Sequence, residues 1–352
     1  MNKKNTVLTI LGAAIIISLT AAASYFFFTS ENKTSIDTNN NNPPINVVDT
    51  PVDDKETAWR TPANISNVSF ENIELKNTYE YDNEKVSFYS GWIKNPATDD
   101  KQSVRIYSVA DDGDGLLLVV LVPGGTNDGT DYEATPPNRA SNAVQLAAEG
   151  FVVIVYSPLG TGESEGTMNY QGFDDQDGLA AIIAAGKKLE GIDTNNISIA
   201  SFSYGITGAT GVLARYPDLN IKFYSDWEGP SSRTFTSVDC RSGATKKPDS
   251  VGSFSCDDSE HWAEREAVNF IKKANLKYYW RIQQEKDHVQ KTYGHTLEMM
   301  KATVGNIPWV KLNDSEINPE YITEEDLDIV KNYPDYFGVY VIPHLKEMAE
   351  ME

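Results

Sequence analysis

The chain has 352 residues and a formal net charge of −21, which results from 51 acidic and 30 basic side chains. This excess of carboxylates argues against nucleic acid and anionic lipid surfaces as partners, because both are bound by clustered basic residues. High acidity favours solubility but says little about substrate.

The first residues combine two lysines with a long apolar run. Lys3 and Lys4 precede an almost unbroken apolar stretch over 7–28. About 20 apolar residues suffice to span a bilayer, and lysines in front of such a run keep that end in the cytoplasm. Residues 1–29 are therefore predicted to be an uncleaved, single-pass membrane anchor, with the rest of the chain outside the cytoplasm. A cleavable signal peptide, with the alanines at 21–23 near its cleavage site, is the alternative and predicts a secreted protein.

The composition changes after the apolar run. Residues 30–62 are rich in Asn, Asp, Thr and Pro. A segment with so few apolar side chains cannot offset the entropy lost on ordering. We therefore predict a disordered stalk over 30–62, followed by a domain over 63–352 that is long enough for one α/β domain with an insertion.

Two kinds of strand pattern follow the stalk. Residues 68–109 alternate apolar and polar side chains in short runs, which is typical of antiparallel strands at the edge of a sheet. The stretches 116–122 and 151–156 are continuously apolar, as expected of strands buried on both faces. Helical patterns over 140–148 and 177–189 alternate with these strands. The predicted fold class is therefore α/β, with a doubly wound, mostly parallel sheet.

The pentapeptide Ser-Phe-Ser-Tyr-Gly at 201–205 is the most informative stretch. It lies between an apolar run at 197–200 and a helix that begins with small residues. A strand, a tight turn and a helix in this order hold the middle serine, Ser203, at a sharp bend with its hydroxyl facing a cleft. Glycine usually occupies the first place of this motif, where Ser201 stands here and is still small. Ser203 is therefore the candidate nucleophile.

Two glycine-rich loops precede this turn. Pro-Gly-Gly at 123–125 follows the first buried strand, and Ser-Pro-Leu-Gly-Thr-Gly-Glu-Ser at 157–164 follows the second. In this order the three motifs resemble the α/β-hydrolase superfamily, and most closely its dienelactone-hydrolase and prolyl-oligopeptidase-like branches, over roughly 86–312. The resemblance implies a hydrolase that needs no metal or organic cofactor. It also implies an oxyanion hole built from the backbone N–H groups of Tyr204 and of Gly125 or Thr126.

The resemblance also indicates where the catalytic acid should lie. In this superfamily the acid usually follows the penultimate core strand, which the sequence predicts at 277–282. Asp287 lies in the loop after that strand and matches the acid position. Asp226, at the end of the preceding strand, is the alternative acid.

The catalytic histidine has no standard position in this chain. The superfamily's histidine normally follows the last core strand, but no histidine directly follows the strand predicted at 309–312. A neutral imidazole is the natural proton acceptor near neutral pH. His288, adjacent to the acid position, is the preferred base, and His295 and His344 are alternatives. His261 belongs to an insertion.

Residues 229–274 are predicted to form a small lid insertion over the site. Its second half, 259–273, has the periodicity of one helix with an apolar face. The insertion contains Cys240 and Cys256, and an exported protein can close such a short loop with a disulfide. Two separate thiols are the alternative. A structural zinc site is not expected, because no histidines lie at a suitable spacing from these two cysteines.

The sequence as a whole predicts an exported, membrane-anchored serine hydrolase. Ser203 would attack an ester or amide of a small molecule or peptide, His288 would accept its proton, and Asp287 would orient the histidine. An acyl-serine intermediate follows from this chemistry. The alternative is a catalytically inactive hydrolase fold that binds a ligand or partner at the cell surface.

Overall fold

A computed structural model describes residues 59–109, 113–132, 142–236, 240, 256–285, 287, 293–330 and 337–351. The predicted anchor at 1–29 and nearly all of the predicted stalk lie outside these residues. Among the helices of the described ranges, none is both long and apolar enough to cross a membrane.

The strands in the described part of the chain form one ten-stranded sheet. They are β1 Glu71–Tyr81, β2 Glu84–Lys94, β3 Lys101–Val109, β4 Leu116–Val122, β5 Phe151–Tyr156, β6 Ile192–Phe202, β7 Phe223–Trp227, β8 Tyr278–Ile282, β9 Trp309–Leu312 and β10 Ser315–Glu316. Their order across the sheet is β1-β2-β3-β5-β4-β6-β7-β8-β9-β10. The strands from β5 to β9 in this order are mutually parallel, and antiparallel pairs flank them. The predicted fold class and the mostly parallel sheet are thus confirmed.

Helices cover both faces of the sheet. They are α1 Asn142–Ala148, α2 Phe173–Gly186, α3 Gly205–Arg215, α4 Ser259–Ala263, α5 Ala267–Ile271, α6 Gly294–Lys301 and α7 Phe337–Glu350, with short 3-10 helices at Gly129–Tyr132, Pro217–Leu219, Arg233–Phe235 and Glu325–Val330. One core packs α2, α3, α5 and α6 against the sheet, and a second core packs α1 and α7 against its other face. Successive side chains of a central strand alternate between the two cores, so these strands are apolar throughout.

Two predicted helices differ from those observed. The helix expected at 177–189 is α2, which begins four residues earlier, at Phe173. Asp174 and Asp175 lie in its first turn, where carboxylates suit the positive end of the helix dipole. Asp175 is also buried and accepts hydrogen bonds from the backbone N–H groups of Leu159 and Gln171. The helix was predicted from its apolar periodicity, which cannot detect a polar first turn.

The helix expected over 259–273 is split into α4 and α5. Between them Arg265 turns inward and donates to the backbone carbonyls of Asn169 (2.5 Å), Tyr170 (3.2 Å) and His261 (2.8 Å). Its neighbour Glu264 accepts from the N–H of Phe173 at 3.1 Å. These long-range bonds replace the continuous helix, so the prediction of a single helix was wrong.

The predicted disulfide is confirmed. Cys240 and Cys256 are bonded, with their Cα atoms 5.5 Å apart. The bond joins the two ends of a segment within the predicted lid insertion, and residues 241–255 inside that loop lie outside the described part of the chain.

Two residues of the predicted stalk contact the domain. Trp59 packs on Phe270, with ring centroids 4.7 Å apart, and Lys273 Nζ lies 4.6 Å from the Trp59 ring centroid. Arg60 forms ion pairs of 2.6 Å with Asp174 and Asp177. Trp59 and Arg60 thus contact the domain, and the boundary between residues 62 and 63 stays a prediction.

A buried ion pair joins α2 to α3. Arg215 NH2 lies 2.7 Å from Asp177 Oδ1, and each side chain is 1% exposed. The hydroxyl of Tyr216 donates to the same oxygen at 2.5 Å, and Arg60 reaches the other carboxylate oxygen. Burial lowers the pKa of Arg215, and the attraction of Asp177 opposes that shift. Asp177 therefore keeps the guanidinium charged inside the protein.

We predict that Asp177→Asn lowers the free energy of unfolding by about 3–5 kcal/mol, because it leaves the Arg215 guanidinium buried without a counter-ion. Asp174→Asn is the matched control, because its partner Arg60 is 44% exposed and such surface pairs contribute about 0–1 kcal/mol. Urea unfolding followed by tryptophan fluorescence measures both. Equal losses in the two variants would contradict the role given to the buried pair.

Candidate active site

Ser203 occupies the tight turn between β6 and α3. Its φ angle is 50°, in the left-handed region that is unfavourable for a residue with a side chain. The N–H of Ser203 donates to Trp227 O at 2.8 Å, and its carbonyl accepts from the N–H of Ile206 at 3.1 Å. These bonds fix the bend at the carboxyl edge of the sheet. The strand, turn and helix expected around the candidate nucleophile are all present.

The glycines around this turn permit a close backbone approach. A Cβ on Gly124 would lie 2.5 Å from Phe202 O and 2.8 Å from Ser203 Cβ. A Cβ on Gly205 would lie 2.7 Å from the carbonyl oxygens of Val122 and of Pro123. Real Cβ atoms do not approach so closely, so only glycine fits at either place. The loop at 123–125 therefore packs directly on the turn that holds Ser203.

Ser201 replaces the usual first glycine of the motif without disturbing it. The side chain is buried, and its hydroxyl shares a 2.6 Å hydrogen bond with the hydroxyl of Tyr224 on β7. A buried hydroxyl needs such a partner. Ser201 therefore has a structural role at this position.

The candidate oxyanion donors border the turn. The N–H of Tyr204 lies at the N-terminal end of α3, where a helix provides no backbone acceptor and carries a positive partial charge. Gly125 has a φ angle of +56°, and the N–H of Asn127 donates to Gly124 O at 2.9 Å to close the loop that contains Thr126. Their role as oxyanion donors stays a prediction.

A cleft of about 220 Å³ adjoins this loop. Its lining includes Pro123, Gly124, Asn127, Asp131, Tyr132 and Phe202. The ring of Tyr170 stacks on that of Tyr204, with centroids 4.4 Å apart. Space for a small substituent therefore exists beside the glycine loop.

Asp287 lies in the loop after β8, two strands from β6. Its side chain is 1% exposed. Its Oδ2 atom accepts from Gln283 Nε2 at 3.0 Å and lies 3.2 Å from Nε2 of His295. The next residue, His288, lies outside the described part of the chain. The structure thus places the predicted acid at the carboxyl edge of the sheet and leaves the preferred base as a prediction.

Asp226, the alternative acid, has a different set of contacts. It is fully buried at the end of β7 and accepts from Arg281, from the hydroxyl of Tyr279 at 2.9 Å and from the N–H of Gly229 at 3.1 Å. Burial raises the pKa of its carboxyl, and the Arg281 charge opposes that shift. Asp226 therefore serves as the counter-ion of Arg281, which favours Asp287 as the acid.

The other histidine candidates also have defined surroundings. His295 on α6 is fully buried, with Nδ1 3.1 Å from Arg281 NH2 and Nε2 facing Asp287. His344 stacks on Trp280, with centroids 3.6 Å apart. Trp280 belongs to the second core, which lies between the sheet and helices α1 and α7. Burial lowers the pKa of His344 to about 3. His261 lies in α4, and burial lowers its pKa to about 3 as well.

Sequence reasoning missed Arg281 and Gln283, which connect these groups. Arg281 is a charged residue inside the apolar strand β8, and it is fully buried. Gln283 follows the strand directly and is also buried. A charge within a buried strand needs a counter-ion, and this signal was present in the sequence.

A comparison with protein families gives one match. A model of the X-Pro dipeptidyl-peptidase (S15) family matches residues 53–225, slightly less than half of the chain. This span includes the glycine loops and Ser203 but ends before Asp226, Asp287 and all four histidines. No match was found among curated protein sequences.

Several solved structures share the fold. A protein of Bacteroides ovatus assigned as a dipeptidyl aminopeptidase IV has a TM-score of 0.50 and 17% identity, over 64% of this chain and 32% of that one. The present chain thus spans about a third of that protein. An acetyl xylan esterase from Paenibacillus sp. R4 has a TM-score of 0.52 and 12% identity, over 74% of this chain and 86% of that one. An S-formylglutathione hydrolase from Agrobacterium tumefaciens has a TM-score of 0.50 and 14% identity, over 80% of this chain and 99% of that one.

We predict that Gly124→Ala slows labelling of the protein by a fluorophosphonate by roughly 100-fold, because a displacement of the loop by about 1 Å misplaces groups around Ser203. Gly113→Ala is the control, since a Cβ there meets no atom within 4 Å. Labelling rates and circular dichroism of both variants provide the measurement. An undiminished rate in folded Gly124→Ala would show that the close approach has no role in reactivity.

Proposed function

We propose that the chain is a serine hydrolase of the α/β-hydrolase superfamily, in which Ser203 attacks an ester or amide carbonyl; the family-model match and the shared fold support this. The observation that carries the proposal is the left-handed conformation of Ser203 in a strand–turn–helix, with a glycine loop packed against it. A strained residue at such a turn persists only where the surroundings hold it, which is common at catalytic sites.

The proposed reaction has two halves. The Ser203 hydroxyl attacks the carbonyl carbon while a histidine takes its proton, and the oxyanion is held by backbone N–H groups of Tyr204 and of Gly125 or Thr126. The leaving group takes the proton from that histidine and departs, which leaves an acyl-serine. Water then attacks the acyl carbon while the histidine takes its proton. The histidine passes this proton to Ser203 Oγ as the bond between Oγ and the acyl carbon breaks, which releases the carboxylic acid product and restores the serine.

We assign the base to His288 and the acid to Asp287. His288 is the residue next to Asp287 in the sequence. The ring nitrogens of His295 already face Arg281 and Asp287, and His344 belongs to the core on the other face of the sheet. These surroundings make His295 and His344 poorer proton acceptors for Ser203.

The substrate is proposed to be a small ester or a peptide. The family-model match supports peptide chemistry, and the cleft of about 220 Å³ beside the glycine loop suits a small substituent. p-Nitrophenyl acetate and Ala-Pro-p-nitroanilide are therefore the first substrates to compare. A higher kcat/KM for one of them would separate esterase from peptidase activity.

We predict that a fluorophosphonate labels the wild-type protein and that Ser203→Ala abolishes the labelling, because the alanine has no nucleophile. His288→Gln should lower kcat by at least about 1,000-fold, since a serine hydroxyl is weak without its base. Ser201→Ala is the matched control, because this neighbouring hydroxyl bonds to Tyr224 and is expected to affect stability alone. Absence of labelling in the folded wild type would contradict the proposal and favour a protein that binds a ligand without catalysis.

We also propose that the protein is exported and held at the membrane by residues 1–29. Lys3 and Lys4 before the apolar run support this orientation. The disulfide between Cys240 and Cys256 is consistent with an oxidising compartment.

We predict that the full chain sediments with membranes and resists extraction at high salt, because an apolar segment and not surface charge would hold it. Deletion of residues 1–29 should release the protein. A cleaved leader would instead give a secreted product whose intact mass lacks the N-terminal segment. Recovery of the full-length chain in the soluble cytoplasmic fraction would contradict both forms of the proposal.

A further inference from the structure

We propose that Gln171 is a positioning residue for the glycine loop at 123–125, and that its side-chain amide holds the carbonyl of Pro123 so that the following peptide groups stay beside Ser203. The inference rests on the proposed function, in which Gly125 or Thr126 of this loop provides an oxyanion donor. The sequence analysis gave Gln171 no role.

The side chain of Gln171 contacts the glycine loop directly. Its Nε2 atom donates to the backbone carbonyl of Pro123 at 3.1 Å, and the residue is 1% exposed. Because a carbonyl oxygen can only accept, this contact fixes which end of the amide carries the nitrogen. The two residues are 48 positions apart in the chain, so the bond ties the glycine loop to the segment before α2.

The loop needs an anchor from outside its own sequence. Gly124 and Gly125 are consecutive, and glycine has more backbone freedom than any other residue. Gly124 O accepts from the N–H of Asn127 at 2.9 Å, which closes the loop on its far side. On the near side Gln171 holds the peptide group between Pro123 and Gly124. Rotation of that peptide group would also move Gly125, whose N–H is a candidate oxyanion donor.

The backbone at Gln171 is held in an unfavourable conformation. The φ angles of Tyr170 and Gln171 are 53° and 62°, in the left-handed region that side chains disfavour. The N–H of Gln171 donates to Asp175 Oδ2 at 2.8 Å, and its carbonyl accepts from Gln176 Nε2 at 3.1 Å. Arg265 donates to the carbonyl of Tyr170 at 3.2 Å. Such a conformation persists only where its surroundings hold it, and here it directs the amide towards the loop.

A glycine on α3 leaves room for this amide. A Cβ on Gly208 would lie 2.2 Å from Oε1 of Gln171. Glycine weakens a helix relative to alanine, but any larger residue at this position would collide with the amide. The helix that begins behind Ser203 and the glycine loop are thus both in contact with one side chain.

The amide of Gln171 is not the best side chain for stability at this place. Its Oε1 atom is buried and has no hydrogen-bond partner among the described residues, and an unpaired buried acceptor is destabilising. Methionine is also unbranched and has no such oxygen. Gln171→Met therefore removes one unpaired oxygen but leaves that of Pro123 without this donor, so the two effects on stability oppose each other.

The first test is Gln171→Met in the full-length protein, with p-nitrophenyl acetate as substrate. We expect kcat to fall by roughly 10- to 100-fold with KM changed less than about twofold, because a misplaced oxyanion donor affects the transition state and not substrate binding. The thermal midpoint should change little. The dissociation constant of phenylboronic acid, which forms a tetrahedral adduct with an active serine, should rise by about the factor by which kcat falls.

Gly208→Ala tests the same contact from the opposite side. The added Cβ forces the amide away from Pro123 while the chemistry of Gln171 is unchanged. We expect a similar loss of kcat. In the double variant with Gln171→Met the second substitution should add less than about threefold, because both act on one hydrogen bond.

Asn306→Leu is the matched control. Its Nδ2 atom donates to the carbonyls of Ile271 at 2.7 Å and Ala274 at 3.3 Å, and its buried Oδ1 atom has no hydrogen-bond partner in the described part of the chain. Asn306 lies in the turn before β9, at the amino ends of the parallel strands, whereas Ser203 lies at their carboxyl edge. We expect this variant to keep the wild-type kcat and affinity for phenylboronic acid.

Several outcomes would overturn the inference. A wild-type kcat in folded Gln171→Met would show that the bond does not position the loop, and a raised KM with unchanged kcat would make Gln171 a substrate contact. If Gln171→Met does not fold, an unchanged kcat in folded Gly208→Ala would overturn the inference instead. Failure of the folded wild type to react with a fluorophosphonate would count against the proposed function, whereas equal hydrolysis by wild type and Gln171→Met would count against this inference alone.

Discussion

The buried ion pair between Asp226 and Arg281 is the interaction on which the candidate site depends. Both side chains are fully buried between neighbouring parallel strands, and each would be costly without the other. Because Arg281 has five donors in one plane, it also contacts Thr296, Gln283 and His295. A single charge in the sheet therefore organises α6 and the loop that contains Asp287.

The two halves of the site are held by different physical means. Around Ser203 the backbone is responsible: a left-handed residue, glycines without room for a Cβ and the end of α3 bring peptide groups together. Around Asp287 buried polar side chains are responsible, and their donors and acceptors are matched through Arg281 and Gln283. The first half tolerates no added volume, and the second tolerates no lost hydrogen bond, because unpaired polar groups are costly when buried.

The sequence predicted the features that depend on neighbouring residues and missed those that depend on contacts between residues far apart in the chain. β4 and β5 were located to the residue, because burial on both faces leaves a continuous apolar run. The turn at Ser203 was also found, since strand, turn and helix are consecutive. The break at Arg265 was not, because its partners lie near residue 170. The role of Arg281 was missed for the same reason, since its acceptors come from β7, from Gly229 and from α6.

The bonds from Arg265 to Asn169 and Tyr170 have a consequence for the order in which the candidate site is assembled. They join residues 96 and 95 positions apart in the chain, and Tyr170 stacks on Tyr204, next to Ser203. A growing chain that has only just completed α3 contains Ser203 and the glycine loop at 123–125. It does not yet contain Arg265 or the loop with Asp287 that follows β8. The candidate nucleophile is therefore synthesised long before the residues that surround it, so the site around Ser203 should become complete only when β8, the loop that contains Asp287 and α6 join the sheet.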